Sequence, residues 1–324
     1  VDPLCGSARR SRPDPRARGA PARWPWRTMP GEELGVLQAI PGAEGVWEAY
    51  YYDEGTHEET GAFVKRGCKG ADLKARFEEA EEKYKAGEIG PCVYVERMIV
   101  FELPKGGGVC VYAAIPLTEP LKASVNEKGG CKLIIVPTQE HAKYHMGWTE
   151  AYPEAVVVCC SGKDMEPHLA ALGDRAKVCD FHTPAKWAKE AIKATTGISF
   201  EVMDWAGFQE IVMMHRKSKT LITSDNIYLG SSDKNDKKGW KNFPSEVWQE
   251  LYFEAYCVKS PAYMPIYRTF LTPDQQKLVA KTLKKVLSWK AERVTSARCG
   301  KTSEGGAAEV VKIVEGHWGF CNAA

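Results

Sequence analysis

The chain has 324 residues, of which 44% are apolar, so it is long enough to bury a substantial core as one large domain or two modest ones. Lysine and arginine number 44 against 42 acidic residues, and the net charge of +2 argues against nucleic-acid or membrane-surface binding through overall charge. No apolar run reaches the roughly 18 residues that span a bilayer, and the N-terminal segment lacks the apolar core of a secretory signal. We therefore expect a soluble, intracellular protein without nucleic-acid or membrane partners.

The eleven cysteines are scattered along the chain, and no two have the Cys-x-x-Cys spacing of a zinc ribbon or a redox motif. The adjacent pair Cys159 and Cys160 lies in an apolar run, and neighbours on a strand point to opposite faces. We expect most of the cysteines to be small buried side chains in a reducing compartment.

Residues 1–28 are rich in arginine and proline and carry almost no periodic apolar residues, so burial cannot offset their chain entropy. We expect disorder there. Two interpretations stay open: a transit peptide, which would place the protein in an organelle, or spurious coding sequence ahead of a start at Met29. Without a transit peptide the default location is the cytoplasm. We expect residues 29–92 to form an N-terminal extension and residues 93–324 to form the main domain.

The first predicted strands and the first predicted helix lie before residue 116. Residues 45–52 have the composition of a strand, and residues 71–86 predict a charged helix that ends at Gly87. Two apolar runs, 93–103 and 108–115, are joined by a turn that contains glycine. This arrangement predicts a β-hairpin.

The most distinctive loop follows a predicted helix at 118–128. An apolar strand at 132–136 breaks at Pro137 and releases polar side chains, which include His141 and His145. Ligand sites in α/β proteins collect beyond the carboxyl ends of strands. This loop is therefore the first candidate site.

The rest of the chain alternates strands with helices. Apolar runs predict strands at 155–160, 198–205, 209–214, 220–224 and 293–296. Helical spacing and caps predict helices at 165–172, 184–195, 245–258, 272–289 and 307–316. A polar segment at 230–243 predicts a loop. Asp225 follows the strand 220–224 directly, much as the loop that contains His141 follows the strand 132–136. The order of strands and helices along the chain indicates an α/β protein built in layers.

Several separated motifs occur together and in a fixed order. They are Leu133-Ile134-Ile135-Val136-Pro137, His141-Ala142-Lys143-Tyr144, Trp148 with Tyr152-Pro153-Glu154-Ala155, and the segment from His215 to Asp225. With these motifs the chain resembles an uncharacterised branch of the metallo-β-lactamase-like superfamily over about residues 94–316. The resemblance implies an α/β fold in the form of a four-layer αββα sandwich. It also implies a metal held at one edge of the two sheets by loops that follow successive strands.

Metal-binding members of that superfamily carry a His-x-His-x-Asp-His loop, and the resemblance implies that His145 stands at its closing histidine. Glu140 and Ala142 then stand at the first two histidines, and Tyr144 stands at the aspartate. His141 is out of register by one residue. The loop has therefore lost most of the superfamily's metal ligands.

Two later ligand positions also come from the resemblance. Asp225 matches the bridging aspartate, whereas Cys299 stands where the final histidine is expected. Together with Glu140, His141 and His145, these residues form the candidate metal set. Imidazole, carboxylate and thiolate donors suit one zinc or iron ion.

Two functions stay open for this set. The first is a fold that has lost its metal chemistry and serves as a binding module for a small molecule or a protein partner. The second is a mononuclear metal-dependent hydrolase of an ester, thioester or phosphoester, with His145, Asp225 and Cys299 as ligands. A thiol-dependent enzyme that uses Cys299 beside Arg298 is a third, less supported hypothesis.

A basic turn precedes the strand that ends at Asp225. His215, Arg216, Lys217 and Ser218 offer cations and a hydroxyl group there. Such a composition can bind a phosphate or a carboxylate, and it is also typical of a solvated turn. These four residues are the candidate anion-binding turn.

Overall fold

The structure of the protein is a computed structural model. It describes residues 28–29, 32–33, 35–52, 57–93, 95–104, 107–162, 165–179, 198–205, 208–227, 245–256, 271–297 and 302–323. The predicted tail up to residue 27, the predicted helix 184–195, the predicted loop 230–243 and the candidate ligand Cys299 lie outside these residues.

In the part of the chain that the structure describes, thirteen strands form two large sheets and one small ribbon. They are β1 (Thr28–Met29), β2 (Glu32–Glu33), β3 (Gln38–Ala39), β4 (Val46–Tyr52), β5 (Val95–Glu102), β6 (Val109–Tyr112), β7 (Cys131–Val136), β8 (Val156–Cys160), β9 (Ala176–Cys179), β10 (Ser199–Trp205), β11 (Phe208–His215), β12 (Thr220–Thr223) and β13 (Arg293–Ser296). His215 is the last residue of β11, so its placement in a turn was wrong by one residue.

Eight α-helices connect or flank the strands in the described part of the chain. They are α1 (His57–Gly67), α2 (Ala71–Lys85), α3 (Glu119–Glu127), α4 (His145–Ala151), α5 (Glu166–Leu172), α6 (Glu246–Tyr256), α7 (Pro273–Ser288) and α8 (Gly306–Trp318). None of these described helices is long and apolar enough to cross a membrane.

The first sheet has seven strands in the order β3-β4-β5-β6-β7-β8-β9. Strands β3 to β6 pair antiparallel, and β5 with β6 forms the predicted hairpin. Strands β6 to β9 pair parallel, with helices α3, α4 and α5 as the crossovers. The carboxyl ends of β6, β7 and β8 therefore meet at one edge of the sheet, where the loop of His141 begins.

The second sheet has four strands in the order β10-β11-β12-β13. The first three pair antiparallel, whereas β12 and β13 pair parallel, with Thr220 opposite Arg293. A parallel pair needs a long crossover, and the chain between these two strands contains α6 and α7. Asp225 follows β12 directly, as the sequence predicted.

The two sheets face each other across the main core. Val111 and Ile135 from the first sheet share one buried cluster with Ile211 and Met213 from the second. The opposite face of the second sheet packs on α7 and α8, whereas α3 and α4 cover the free face of the first sheet, as crossover helices must. The predicted α/β fold with four layers, αββα, is confirmed.

Residues before 93 contribute to the same sheet. Strand β4 pairs along its full length with β5, and its Val46 and Ala49 lie in the main core. Helices α1, α2 and α6 form a separate buried cluster around Trp248. The division into an extension and a main domain at residue 93 stays a prediction.

Candidate functional site

The candidate loop leaves β7 at the parallel edge of the first sheet. Pro137 and Thr138 follow the strand, a short 3-10 turn covers Gln139–His141, and α4 begins at His145. His141 and His145 therefore belong to different elements and not to one helix. Both imidazole rings are buried.

His141 lies between two carboxylates from different strands. Its Nδ1 is 3.7 Å from Oε2 of Glu96 on β5, and its Nε2 is 3.5 Å from Oδ2 of Asp225 after β12. The His141 side chain is only 2% exposed. A single imidazole thus connects the middle of the first sheet with a strand end of the second.

Asp225 has further partners on the same side-chain oxygen. The Thr138 hydroxyl donates a hydrogen bond to Oδ2 at 2.9 Å, and the Ser224 hydroxyl donates at 3.3 Å. Thr138 comes from the loop after β7, so this bond joins the two candidate strand ends directly. The loops that follow β7 and β12 therefore lie next to each other.

The buried carboxyl group of Glu210 binds the backbone of the loop that contains Asp225. Its carboxyl group accepts hydrogen bonds from the backbone N–H groups of Ser224, Asp225 and Asn226 at 2.6, 2.7 and 2.7 Å. Burial raises the pKa of Glu210 well above its usual value, and the neighbouring Asp225 carboxylate raises it further, while the three N–H groups act in the opposite direction. Glu210 fixes the direction in which Asp225 leaves the strand.

Sequence reasoning missed both Glu210 and Glu96. A usable signal existed for Glu210, because it is an acidic residue directly before the apolar run Ile211–Met214 in a strand that the sheet pattern buries. Acidic residues are almost never fully buried unless they have partners. Glu96 carries no such signal, since its contact with His141 depends on how two distant strands pair.

His145 has a different environment from His141. Its Nδ1 donates to the Ala142 carbonyl at 2.6 Å, because a carbonyl can only accept, and Nε2 therefore carries the lone pair. Nε2 is buried without a hydrogen-bond partner among the described residues, and the ring lies edge-on to His168 at 5.1 Å. Burial lowers the pKa of His145. It makes no ion pair with Asp225.

The remaining candidate metal ligands do not complete a site in the part of the chain that the structure covers. Glu140 is exposed in the 3-10 turn. No group of three His, Cys, Asp or Glu side chains in the described ranges is arranged to hold a metal ion. His141 presents one nitrogen to Glu96 and the other to Asp225, so the three do not converge on one point. The described residues therefore do not fit a zinc or iron site.

His215 of the candidate anion-binding turn is buried and faces Ser218. The distance between His215 Nδ1 and Ser218 Oγ is 2.7 Å, and Ser218 Oγ lies 2.7 Å from Thr220 Oγ1. Burial is the main cause that lowers the pKa of His215 to about 4. The imidazole is therefore neutral near pH 7 and supplies no positive charge for an anion.

The two cations of this turn have partners within the chain. Arg216 donates to the Ser199 hydroxyl at 2.5 Å. Lys217 bridges Glu44 at 2.8 Å and Glu102 at 3.1 Å. An anion would have to displace these contacts, and the anion-binding role of the turn stays a prediction.

The similarity of the chain to known proteins is low. No protein-family model matches the chain, and no curated protein matches it. Solved structures similar to it include the DIM-1 metallo-β-lactamase, at 12% identity over 87% of this chain and 99% of that chain, with a TM-score of 0.42. VMB-1 is 9% identical over 90% of this chain and 100% of that chain, with a TM-score of 0.46. A diflavin flavoprotein fragment from Nostoc sp. PCC 7120 is 10% identical over 89% of this chain and 96% of that chain, with a TM-score of 0.43. These low values carry no argument about the site or the activity.

Proposed function

We propose that the chain is a metallo-β-lactamase-like fold whose strand-end loops serve as a binding module for a small molecule or a protein partner. The observation that carries this proposal is the position of His141 between Glu96 and Asp225. One imidazole cannot direct both nitrogens at the same ion, so the ring separates the two carboxylates. In this proposal, an internal imidazole–carboxylate network has replaced the metal.

The contacts of Asp225 support the same proposal. Its Oδ2 already accepts hydrogen bonds from Thr138 and Ser224, and its backbone is held by Glu210. A metal on that oxygen would compete with both hydroxyl groups. The side chain therefore acts as an anchor that fixes two loops, and fixed loops at a sheet edge are a common platform for binding.

A mononuclear hydrolase of an ester, thioester or phosphoester is the second candidate, and two specific observations favour it. Nε2 of His141 and Oδ2 of Asp225 are 3.5 Å apart, close to the separation of about 3.4 Å between two ligands of a tetrahedral zinc with bonds near 2.1 Å. His145 also donates Nδ1–H to a carbonyl and keeps Nε2 free, as metal-binding histidines do. Cys299 would have to supply a further ligand.

Elemental analysis of protein purified without chelators separates the two candidates. We expect zinc, iron and manganese well below one ion per chain in the wild type, in Asp225→Asn and in the matched control Asp174→Asn, whose side chain is exposed. We also expect no chelator-sensitive hydrolysis of p-nitrophenyl acetate, a thioester or a phosphodiester. One ion per chain in the wild type and in Asp174→Asn, lost in Asp225→Asn together with chelator-sensitive hydrolysis of one of these substrates, would support the hydrolase candidate instead.

A further inference from the structure

A groove between α7 and α8 shares no residue with the site around His141. Its volume is about 530 Å³, within the range of small-molecule sites. The floor is apolar and consists of Ala280, Leu283 and Leu287 from α7 with Val314 from α8. Cys321, just after α8, also lines the groove, and its side chain is buried.

One rim of the groove carries three lysines. Lys277, Lys281 and Lys284 line it at spacings of four and three residues along α7, so they share one face of the helix over about 10 Å. Lys277 is 3.6 Å from Asp274, whereas Lys281 and Lys284 make no ion pair with any residue in the described ranges. Two exposed lysines that have no ion-pair partner in the described part of the chain therefore stand beside an apolar floor.

The other rim has the opposite character. Glu315 and Asn322 line it, so a negative group is repelled from that side and attracted to the lysines. An apolar chain on the floor would place its charged end at Lys281 and Lys284. The groove is thus complementary to a molecule that has one apolar chain and one negative end.

We propose that this groove binds a free single-chain anionic amphiphile, with the chain on Leu283, Leu287 and Val314 and the carboxylate on Lys281 and Lys284. The short rim favours a single chain over an amphipathic peptide helix, which buries anchors over several turns. The concave floor favours a free molecule over a bilayer, because interfacial helices insert a projecting apolar face.

The test uses dodecanoate below its micelle concentration as the probe, measured by titration calorimetry on the full chain. We expect saturable binding to one site, weakened at least tenfold in Lys281→Glu/Lys284→Glu. The control Lys312→Glu, which makes half of that charge change at an exposed position on α8 outside the groove, should stay within twofold of the wild type. Dodecyltrimethylammonium, which has the same chain and a positive end, should bind at least tenfold more weakly than dodecanoate.

Two further measurements test binding without the lysine variants, so they apply even if the charge change disturbs α7. Dodecanoate should shift the methyl resonances of Leu287 and Val314 in the wild type, and Leu287→Asp, which places a negative charge on the floor at a partly buried position, should weaken binding at least tenfold. Equal affinity for both amphiphiles, or no loss in the lysine variant, would overturn the proposal. Binding only to phosphatidylglycerol vesicles, or only to an acidic amphipathic peptide, would also overturn it.

Discussion

Two buried polar side chains, His141 and Glu210, hold the loops that meet at the parallel edge of the sheets. Glu210 accepts three backbone hydrogen bonds from the loop of Asp225, and His141 contacts the Asp225 side chain. Buried polar groups of this kind destabilise a protein strongly when a partner is removed. Their substitution therefore reports on the network more sharply than substitution of an exposed charge.

Glu210→Gln should lower the free energy of unfolding by about 1 to 3 kcal/mol, because the amide nitrogen cannot accept and leaves a buried backbone N–H without a partner. Urea denaturation at pH 7 measures the change. Glu201→Gln is a similar change on β10, where Glu201 forms a partly exposed ion pair with Lys285, and it should stay within about 0.5 kcal/mol. Equal stability of Glu210→Gln and the wild type would contradict the assigned hydrogen bonds.

His215 should make stability depend on pH. Its pKa is lowered to about 4 in the folded state, whereas an unfolded histidine has a pKa of about 6.5, so the unfolded chain binds more protons between these values. Stability is therefore lost as the pH falls from about 6.5 to about 4. Between pH 7 and pH 4.5 the wild type should lose roughly 2 to 3 kcal/mol relative to His215→Gln.

Denaturation curves of both proteins at the two pH values check this expectation. Other titrating groups affect the two proteins alike, so the difference between their unfolding free energies isolates His215. A difference that stays constant between pH 7 and pH 4.5 would show that the imidazole titrates normally in the folded protein.

Some site residues could be predicted from the sequence and others could not. Asp225 could be predicted because an apolar strand directly precedes it, and this signal is local. The contact partner of Asp225 could not, since the resemblance favoured His145 while the 3-10 turn brings His141 to the carboxylate. Glu96 depends on the register between β5 and its neighbours, which no local pattern specifies.

The bounds of helix α7 could be predicted from local sequence signals. The sequence predicted a helix at 272–289 that begins with Thr272 as its cap, and the structure has α7 from Pro273 to Ser288. Thr272 Oγ1 accepts from the N–H of Gln275 at 3.3 Å, and the Gln275 side chain accepts from the N–H of Thr272 at 2.9 Å. Caps and periodic apolar residues are local, so this element could be predicted almost completely.

Thr272→Ala should lower the free energy of unfolding by about 1 kcal/mol, because it removes the acceptor for one free N–H group at the start of the helix. Thermal and urea denaturation measure the loss. Thr272→Ser keeps the hydroxyl group and should retain most of the stability. If the alanine and serine variants unfold alike, the capping box does not stabilise α7.

The two sheets are joined by hydrogen bonds as well as by apolar packing. The Tyr112 hydroxyl on β6 donates to the Ile211 carbonyl on β11 at 2.8 Å, and the Ile211 N–H donates to the Pro137 carbonyl at 3.0 Å. The layer order could be predicted from the alternation of strands and helices. These inter-sheet bonds could not, because they depend on how one sheet is placed over the other.

Tyr112→Phe should lower the free energy of unfolding by about 1 to 2 kcal/mol, since it leaves the buried Ile211 carbonyl without its donor. Tyr152→Phe is the matched control, because the Tyr152 hydroxyl donates to Asn126 at an exposed position. We expect the control to change stability by less than about 0.5 kcal/mol. Similar losses in both variants would argue against a special role for the inter-sheet bond.

At the scale of the whole molecule, we propose that contacts within the chain, and not a metal ion, hold the loops of His141 and Asp225 together. An ion that binds only the folded state raises the midpoint of thermal unfolding by mass action. The most direct test measures that midpoint for the wild type and for Asp225→Asn, each with excess EDTA and with excess zinc. We predict that the wild-type midpoint is the same in EDTA and in zinc. A wild-type midpoint that zinc raises by several degrees, with no rise in Asp225→Asn, would contradict the claim.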